Sequence, residues 1–386
     1  MFKKICIIGE GITSLITTKM LLELDLQVDL ISENFFKKIK FDNRAFALSP
    51  SNIEYLKDLK IIENKSDLVW PINEINLYNA KGNKNVKKIF NFNKKLKSLF
   101  YMIKNDDFHM KLKKQIIKNP LLNVYSKKSA KNIINEIIYQ KKTNFSENYS
   151  LIINCVGQNN IDTKFFFKKI KKKYYTNSLT SIIRHQKIIN DVASQFFTEK
   201  GPIAFLPLSP DKTAVVWSIK NKFLYKDKKK NEFFFKKNIK KILQSKLKII
   251  SFSNINQFEL NFIITRELNY KNILNFGEGL HKIHPLAGQG LNMVIRDIKV
   301  LGNLIKNTTD LGLDLDSSTL VEFKEIIQPY NFLFATSVDL TEKYFSINNN
   351  LLNKLSNKFL IRTNKNYFIK NVLKKIADRG INLFDY

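Results

Sequence analysis

Residues that hold metals or form disulfides are scarce in this chain of 386 residues. It has 2 cysteines and 4 histidines, and these do not fall at the spacing of a zinc site. Cys6 and Cys155 both lie in apolar runs, where a thiol is typically a small core residue in a reducing compartment. We therefore expect no metal centre and assign both thiols to the core.

Long apolar segments are also missing. No stretch approaches the roughly 18 uninterrupted apolar residues that a membrane-spanning helix needs. The apolar run before Gly9 is too short for a signal peptide and predicts a first β-strand. A cytoplasmic location follows, with peripheral contact at the inner face of the membrane as the further expectation.

Acidic residues are few, with 34 Asp and Glu against 65 Lys and Arg, for a net charge of +31. The lysines occur in every segment, mixed with Asn, Ile and Phe, as in the run KKIKKK at 168–173. A compositional bias of the whole sequence explains this charge, and attraction to anionic lipid is the alternative. We expect no specific binding of nucleic acid, because the charge is not concentrated in one segment.

Glycine is rare as well, and its positions indicate where the backbone is special. The chain has 12 glycines, and the first two lie in the stretch Gly9-Glu10-Gly11-Ile12-Thr13-Ser14. A buried strand precedes this stretch, a helix from about Thr13 to Leu24 follows it, and a second strand comes next. The unit is typical of dinucleotide binding, in which the glycines allow a tight turn and close approach of a pyrophosphate to the helix N-terminus.

Two positions of this unit depart from the ideal pattern. Ser14 stands at the third glycine position, where a small residue still allows the helix to pack on the strand. An acid for the adenosine ribose is expected about 20 residues beyond the turn. Its identity is ambiguous, because Ser32 falls at the strand end and Glu33 one residue later; we predict Glu33.

A second cluster, GEGLHKIHPLAGQGLN from Gly277 to Asn292, holds four of the 12 glycines and two of the 4 histidines. A short strand ends at Gly277, the chain loops through Pro285, and a helix begins at GQGLN. Gly288 and Gly290 would let a planar ligand approach the backbone, with the first amides of the helix directed at it. A plain glycine-rich loop is the alternative, and the presence of two nucleotide-type turns in one chain favours the ligand.

This cluster resembles the second FAD motif of the FAD-dependent hydroxylases of ubiquinone biosynthesis. Those enzymes, similar to 2-octaprenyl-6-methoxyphenol hydroxylase, are class A flavin monooxygenases of the p-hydroxybenzoate hydroxylase fold. Their motif G-D-A-A-H-x-x-H-P-L-A-G-Q-G-L-N-x-x-x-R-D is matched by Gly277, His281, His284–Asn292, Arg296 and Asp297. Three further stretches resemble family blocks in the same order: FDNRAFALSPSNIEYL (41–56), LVWPINEINLYNAKG (68–82) and FFTEKGPIAFLPLSPDKTAVVWSI (196–219).

The resemblance and the element pattern together predict an α/β protein. A discontinuous Rossmann-like FAD-binding domain is interrupted by a mixed β-sheet substrate domain and followed by a helical C-terminal region. The predicted boundaries are 1–70, 97–172 and 261–310 for the FAD-binding domain, 71–96 and 173–260 for the substrate domain, and 311–386 for the helical region.

The resemblance also implies a chemistry. It implies FAD as cofactor, O₂ as co-substrate, and hydroxylation of a polyprenylated phenol through a flavin C4a-hydroperoxide. Either NAD(P)H or a protein electron donor would reduce the flavin, and proteins of a ubiquinone-biosynthesis complex would be partners. The cofactor-binding residues that it implies, together with those of the two turns, are Gly9, Gly11, Ser14, Glu33, Arg44, Gly277, Glu278, Pro285, Gly288, Gln289, Gly290, Leu291 and Asn292.

Three motifs depart from the family pattern. Glu278 replaces an Asp, Val156-Gly157 replaces an Asp-Gly pair after the third strand, and Asn160 and Thr163 replace the Ser and Arg of S-x-x-R. Val156 and Glu278, together with Ser14 of the first turn, favour as the alternative to a hydroxylase a flavoprotein scaffold or accessory subunit of a ubiquinone-biosynthesis complex.

Two features leave more than one interpretation. His281 and His284 are candidates for proton transfer, but structural roles on the flavin loop suit them equally. The stretch from Lys343 to Arg379 interleaves basic and apolar residues. It would rest on anionic lipid or form a solvated helical face.

Overall fold

The computed structural model describes residues 4–37, 44–64, 66–80, 86–93, 98–139, 149–243, 247–284 and 288–346, together with Lys375 and Asp378. The strands are β1 (Lys4–Ile8), β2 (Gln27–Ile31), β3 (Ala45–Leu48), β4 (Val69–Ile72), β5 (Glu74–Asn79), β6 (Lys87–Asn93), β7 (Phe100–Lys104), β8 (Leu122–Tyr125), β9 (Leu151–Asn154), β10 (Lys169–His185), β11 (Val192–Thr198), β12 (Gly201–Ser209), β13 (Lys212–Lys220), β14 (Ile249–Phe252), β15 (Asn256–Thr265), β16 (Asn269–Tyr270), β17 (Ile273–Asn275) and β18 (His281–Lys282). The helices are α1 (Ile12–Leu22), α2 (Pro50–Asp58), α3 (Asn105–Ile116), α4 (Lys127–Tyr139), α5 (Asn160–Phe165), α6 (Lys228–Leu243), α7 (Gln289–Asp310) and α8 (Ser317–Ser346).

A six-stranded sheet in the order β16-β17-β9-β1-β2-β8 forms the first layer. Its strands are parallel, apart from the short antiparallel pair of β16 and β17. β1 lies at the centre and is apolar on both sides because helices cover both faces. Ile5 and Ile7 pack in the core shared with α1, α3, α7 and α8, whereas Cys6 and Ile8 pack in the core shared with α4 and α5.

A nine-stranded sheet forms the second layer. Its main path is β18-β15-β10-β13-β12-β11-β5-β6, and β14 pairs with β10. Most neighbours are antiparallel, and β11 and β5 are parallel. Helix α6 covers one face, where Phe235 and Ile239 pack with Trp217 of β13. The sheet is therefore mixed, as the sequence predicts.

A small antiparallel sheet, β3-β7-β4, lies against the other face of the nine-stranded sheet. The contact between them is an apolar cluster. Its buried members are Ala47, Ile72, Met102, Ala193, Leu208 and Ala214. The cluster brings β3 and the nine-stranded sheet together, and this contact fixes one wall of the site described below.

The order of the parallel strands determines which loops meet. β9 and β1 are neighbours, and β17 pairs with β9, so the loops after these three strands emerge at the same edge of the sheet. Two predicted domain boundaries fall inside strands of the second layer: 172/173 lies within β10 and 260/261 within β15.

Helices α7 and α8 close the described part of the chain. α8 lies within the predicted helical region 311–386, and most of the basic stretch 343–379 is outside the described residues. Among the described helices, none is long and apolar enough to cross a membrane.

Candidate functional site

The first glycine turn joins β1 to α1 and is held by its backbone. Gly9 has φ +135°, and its N–H donates a hydrogen bond to Ile31 O at 2.9 Å. A Cβ built at Gly9 would lie 3.2 Å from Val156 Cγ2 and 3.3 Å from Cys155 Cβ. Glycine is required there for two reasons, because L residues rarely adopt this φ and because the loop after β9 packs directly on the turn.

The start of α1, in contrast, has free space beside its backbone. Gly11 is the N-cap and makes no side-chain cap hydrogen bond, and a Cβ there would meet nothing within 4 Å. The first amides of the helix are thus available to an anion. Ser14 is buried, and its Oγ donates to Gly11 O at 2.7 Å. The Ser14 hydroxyl is therefore used within the turn.

The loops after β1, β9 and β17 contact one another closely. Gly277, at φ +63°, packs so tightly on α1 that a Cβ would lie 2.7 Å from Thr13 Cγ2. A Cβ at Gly157 would lie 3.1 Å from the carbonyl carbon and oxygen of Glu278. The dinucleotide turn and the two positions that replace family aspartates, Val156-Gly157 and Glu278, are thus brought together. The Glu278 side chain itself is exposed.

A buried polar network supports the turn that carries Glu278. Asn275 Nδ2 donates to Gly279 O at 2.8 Å and to Asp162 Oδ1 at 2.9 Å. Lys169 forms an ion pair with Asp162, and both side chains are at most 5% exposed. Asn154 Nδ2 adds a hydrogen bond to Asn275 Oδ1 at 3.1 Å. The network ties the ends of β9 and β17 to α5 and so fixes the path of the Gly277–Gly279 turn.

The second glycine turn begins α7. Gly288 is the N-cap in the left-handed region, at φ +64°, and has no side-chain cap hydrogen bond. A Cβ there would lie 3.2 Å from Ala47 Cβ, whereas a Cβ at Gly290 would meet nothing within 4 Å. The arrangement is the same as at α1. A glycine with positive φ and close neighbours is followed by a glycine with free space beside it, and the first amides of the helix have no intrahelical partner. Pro285, predicted to shape this loop, lies outside the described residues.

Asn292 joins this turn to β3 and α2. Its side-chain amide donates to Ala47 O at 2.7 Å and to Gly288 O at 3.2 Å. Its Oδ1 accepts from Ser49 N at 2.9 Å and from Asn52 Nδ2 at 2.8 Å. Both ends of the side chain are engaged by the protein, and the backbone oxygen of Asn292 accepts from Asn52 Nδ2 at 3.2 Å and from Arg296 Nε at 3.1 Å. Asn292 therefore supports the turn from within the protein.

The other predicted cofactor residues lie at different depths around the two turns. Gln289 is buried, its Oε1 has no hydrogen-bond partner among the described residues, and Leu291 packs partly buried against the main core. Arg44 is exposed at the residue before β3. Glu33 carries an ion pair with Lys131 at 3.7 Å. The Arg44 side chain is therefore accessible to a ligand, and the Glu33 carboxylate points toward Lys131 of α4.

The two histidines of the second cluster are both buried. His281 Nε2 lies 3.0 Å from Asp297 Oδ2, and Asn331 Nδ2 donates to the same carboxylate. His284 packs edge-on against Tyr174, with ring centroids 5.2 Å apart. Burial lowers the pKa of His284 to about 4, so the ring is neutral at physiological pH. His281 thus links β18 to α7 and α8, and His284 is a packed neutral ring.

Several of these supporting residues were not anticipated. Asp162, Lys169, Asn275 and Asn331 make no motif. Asp162 and Lys169 lie seven residues apart on different elements, α5 and β10, and the partners of Asn275 and Asn331 include residues far away in sequence. Asp297 and Arg296 belong to the family-like run, and that run was the only available signal for them. No group of three or more potential metal-ligating side chains occurs within the described residues.

Comparison with known proteins identifies the segment around the second turn. Residues 167–309 match the family of FAD binding domains. The chain is 26% identical over 211 residues to the ubiquinone biosynthesis monooxygenase COQ6 of Dictyostelium discoideum, covering 46% of this chain and 43% of that protein. It is 28% identical over 159 residues to the 3-demethoxyubiquinol 3-hydroxylase of Escherichia coli, covering 41% of each. The chain thus spans less than half the length of these curated relatives.

The fold has a close counterpart among solved structures. The p-nitrophenol 4-monooxygenase PnpA of Pseudomonas putida superposes with a TM-score of 0.74 at 9% identity, covering 98% of both chains. At this identity the likeness concerns the fold alone, and it confirms the predicted α/β architecture. The chain therefore has the fold of the class A flavin monooxygenases, and its sequence relatives confirm its resemblance to the FAD-dependent hydroxylases of ubiquinone biosynthesis.

Proposed function

We propose that this protein is an FAD-dependent monooxygenase that hydroxylates the aromatic ring of a polyprenylated phenol in ubiquinone biosynthesis. One observation carries the proposal most directly. Two uncapped helix N-termini, at α1 and α7, each have a glycine where an added Cβ would meet nothing, and Gly277, in the loop that leads to α7, packs against Thr13 of α1. The match of residues 167–309 to FAD binding domains supports FAD as the ligand.

The residues present suit such a cofactor. Backbone amides at the start of α1 would hold the pyrophosphate, and those at the start of α7 would stabilise negative charge on the ring system. Arg44 would add a cation, and the exposed carboxylate of Glu278 would accept a hydrogen bond from a cofactor hydroxyl. Bound FAD would supply the activation of O₂ that ring hydroxylation requires. The protein would contribute binding, orientation and exclusion of water.

The substrate assignment is supported by the apolar wall beside Gly288. Ala47 contacts Gly288 and belongs to the cluster that joins β3 to the nine-stranded sheet. That cluster includes the small residues Ala193 and Ala214, and the neighbouring side chains of Ile182 and Leu206 are only partly buried. An apolar wall with small side chains suits a planar ring bearing a hydrocarbon tail.

Contact with a membrane would give access to such a substrate. Three large apolar side chains of α8 are exposed: Phe332 by 47%, Leu333 by 50% and Leu340 by 62%. Their helical spacing puts them on one side of α8. Together with the basic residues that follow, they favour peripheral contact with anionic lipid.

Flavin binding is the first test. The full-length protein is purified and its visible spectrum is recorded before and after addition of FAD. We expect absorption near the flavin maxima that remains after gel filtration. A protein that retains no flavin under either condition would exclude the proposed function.

The same preparation tests the electron donor. NADH and NADPH are added anaerobically, and bleaching of the flavin identifies the nicotinamide as reductant, whereas persistence of the colour favours a protein donor.

A second candidate function is a flavoprotein scaffold or accessory subunit without hydroxylase activity. The residue at position 156 favours this candidate. Val156 replaces the family aspartate and packs against Gly9, so the end of β9 has no carboxylate at this position. Quinone intermediates in a deletion strain distinguish the two. Loss of a hydroxylase accumulates one unhydroxylated ring, whereas loss of a scaffold depresses several steps and is rescued by a flavin-site variant.

A further inference from the structure

The carboxylate of Glu10 lies at the carboxyl end of β2, although Glu10 belongs to the first glycine turn. Ser32 Oγ donates to Glu10 Oε2 at 2.9 Å, and Asn34 N donates to the same oxygen at 3.2 Å. These contacts draw the side chain across the turn to the place where a dinucleotide-binding unit holds the adenosine ribose.

The residues at the strand end do not provide a carboxylate themselves. Ser32 is 3% exposed, and its hydroxyl is used to bind Glu10. The carboxylate of Glu33 is 3.7 Å from Lys131 Nζ, and its backbone oxygen accepts from Lys127 N. Glu33 is thus turned toward α4, and Glu10 supplies the negative charge at this corner.

The geometry leaves acceptor capacity on Glu10. Oε2 takes both strong hydrogen bonds, while Oε1 has Asn34 Nδ2 at 3.5 Å, the outer limit for such a bond. An ionised carboxylate has about four lone-pair sites, so Oε1 can accept from ribose hydroxyls. Glu10 is exposed, and a Cβ at the adjacent Gly11 would meet nothing within 4 Å, so a ligand has access.

Two side chains of α3, His109 and Lys113, lie near the turn that carries Glu10. His109 Nε2 lies 2.7 Å from the backbone oxygen of Glu10, which fixes the turn against α3. Lys113, one helical turn further on, donates to Phe35 O and lies over the Phe35 ring. Burial lowers the pKa of the Lys113 ammonium group, and attraction to Glu10 opposes this shift.

We propose that Glu10, and not Glu33, accepts the hydrogen bonds of the adenosine ribose, so that the site selects an ADP moiety whose ribose hydroxyls are free. This inference rests on the proposed function, since it assigns the adenosine end of the same cofactor site. A 2′-phosphate would place a second negative charge against the carboxylate, so the site rejects 2′-phosphorylated nucleotides.

Competition with bound FAD tests the assignment without measuring catalysis. The full-length protein is loaded with FAD, and displacement by ADP, 2′-deoxy-ADP or 3′-deoxy-ADP is followed by flavin fluorescence. For the wild type, at least one deoxy analogue should compete about tenfold less well than ADP, the size expected for a hydrogen bond to a charged group. Glu10→Ala should reduce this preference to less than about twofold, whereas Glu33→Ala, the matched acid at the strand end, should retain it.

A second variant tests the charge rather than the hydrogen bond. Glu10→Gln keeps an acceptor of the same shape and removes the negative charge. Adenosine 2′,5′-bisphosphate should compete about tenfold better with this variant than with the wild type, and ADP should change much less. A residue with only a structural role would not produce such a gain.

The outcomes separate this inference from the proposed function. Loss of the ribose preference in Glu33→Ala, or its persistence in Glu10→Ala, would overturn the assignment to Glu10 while FAD binding remained. Equal competition by ADP and both deoxy analogues in the wild type would also overturn it. A wild type that takes up no FAD would contradict the proposed function and this inference together.

Discussion

The two glycine turns resemble each other in outline but are stabilised differently. In each, a glycine with positive φ packs against a neighbouring segment, and an open glycine follows at the start of a helix. The turn at Gly9 is held by its backbone, by apolar contacts and by single hydrogen bonds from Ser14 and His109. The turns at Gly277 and Gly288 are held by several connected, buried polar side chains such as Asn275, Asp162 and Asn292. The second region should therefore be more sensitive to the loss of single charges and hydrogen bonds.

The largest expected effect follows removal of the buried cation at the second region. Lys169→Met leaves the Asp162 carboxylate buried without its ion-pair partner, which should cost about 3–5 kcal/mol in the free energy of unfolding. Denaturant unfolding measures this value. The additional change Asp162→Asn should restore part of the loss because the buried charge is gone.

The matched control is a partly buried ion pair between β1 and β2, the strands that flank the first turn and α1. Lys4 pairs with buried Asp29 at 2.8 Å, but Lys4 is 28% exposed, and Asp29 also accepts from Tyr149 Oη and Asn123 Nδ2. Lys4→Met should cost clearly less than Lys169→Met. Equal losses in the two variants would contradict the contrast drawn between the regions.

The second largest effect is a pH dependence carried by His284. Burial lowers its pKa from 6.5 to about 4, while Asp339 opposes and Lys172 reinforces the shift. Between these two pH values the unfolded chain binds a proton that the folded ring does not, so stability falls as the pH falls from about 6.5 to 4. The total is about 3 kcal/mol, and the effect disappears above pH 6.5.

The variant His284→Gln isolates this contribution. The difference in unfolding free energy between wild type and variant should shrink by about 3 kcal/mol from pH 7 to pH 4. Parallel stability curves for the two proteins over that range would show that His284 is protonated in the folded state.

A smaller effect tests the contact between Gly277 and the first turn of α1. Gly277→Ala would place a Cβ 2.7 Å from Thr13 Cγ2 at a φ of +63°, which should destabilise the protein by about 1–3 kcal/mol. Thr13→Ser removes the clashing methyl group, so Gly277→Ala should cost less in that background. Thermal unfolding of the four proteins gives the coupling energy, and a coupling of zero would mean that the two residues do not touch.

The smallest expected effect on stability is a stabilisation rather than a loss. A Cβ at Gly290 meets nothing within 4 Å, so Gly290→Ala should leave the protein without FAD unchanged or stabilise it by up to about 1 kcal/mol. The same methyl group would occupy the space beside the helix amides and weaken FAD binding. Thermal unfolding without FAD, and titration with it, measure the two effects separately. Gly11→Ala is the matched variant at the first turn, and retention of full FAD affinity in both would place the cofactor elsewhere.

The sequence allowed prediction of those features that depend on local chemistry. The first βαβ unit is readable because its glycines, strand and helix lie within about thirty residues, and α1 begins at Ile12, one residue before the predicted start. The second turn is readable because Gly288 needs a left-handed backbone and glycine provides it. The mixed β-sheet predicted for the middle of the chain is also observed, as the nine-stranded sheet.

The features that were not predicted depend on contacts between different elements of the fold. Lys169 belongs to a lysine run that we attribute to a compositional bias of the sequence, yet it forms a buried pair with Asp162 of α5. Glu10 has the sequence position of an ordinary turn residue, and its contact with Ser32 arises only when β1 and β2 pair. Such polar contacts follow no periodicity, so composition and spacing carry no signal for them.

The contact of Gly277 with Thr13 has a consequence for how the protein could acquire its cofactor. The N-terminal βαβ unit contains the dinucleotide turn, but the surface that would complete the site comes from the far end of the chain. During synthesis, a nascent chain that stops before Gly277 would present half of the site and gain little from the ligand. Cofactor capture would then occur after the last parallel strand has joined the sheet, and FAD would stabilise only the fully assembled molecule.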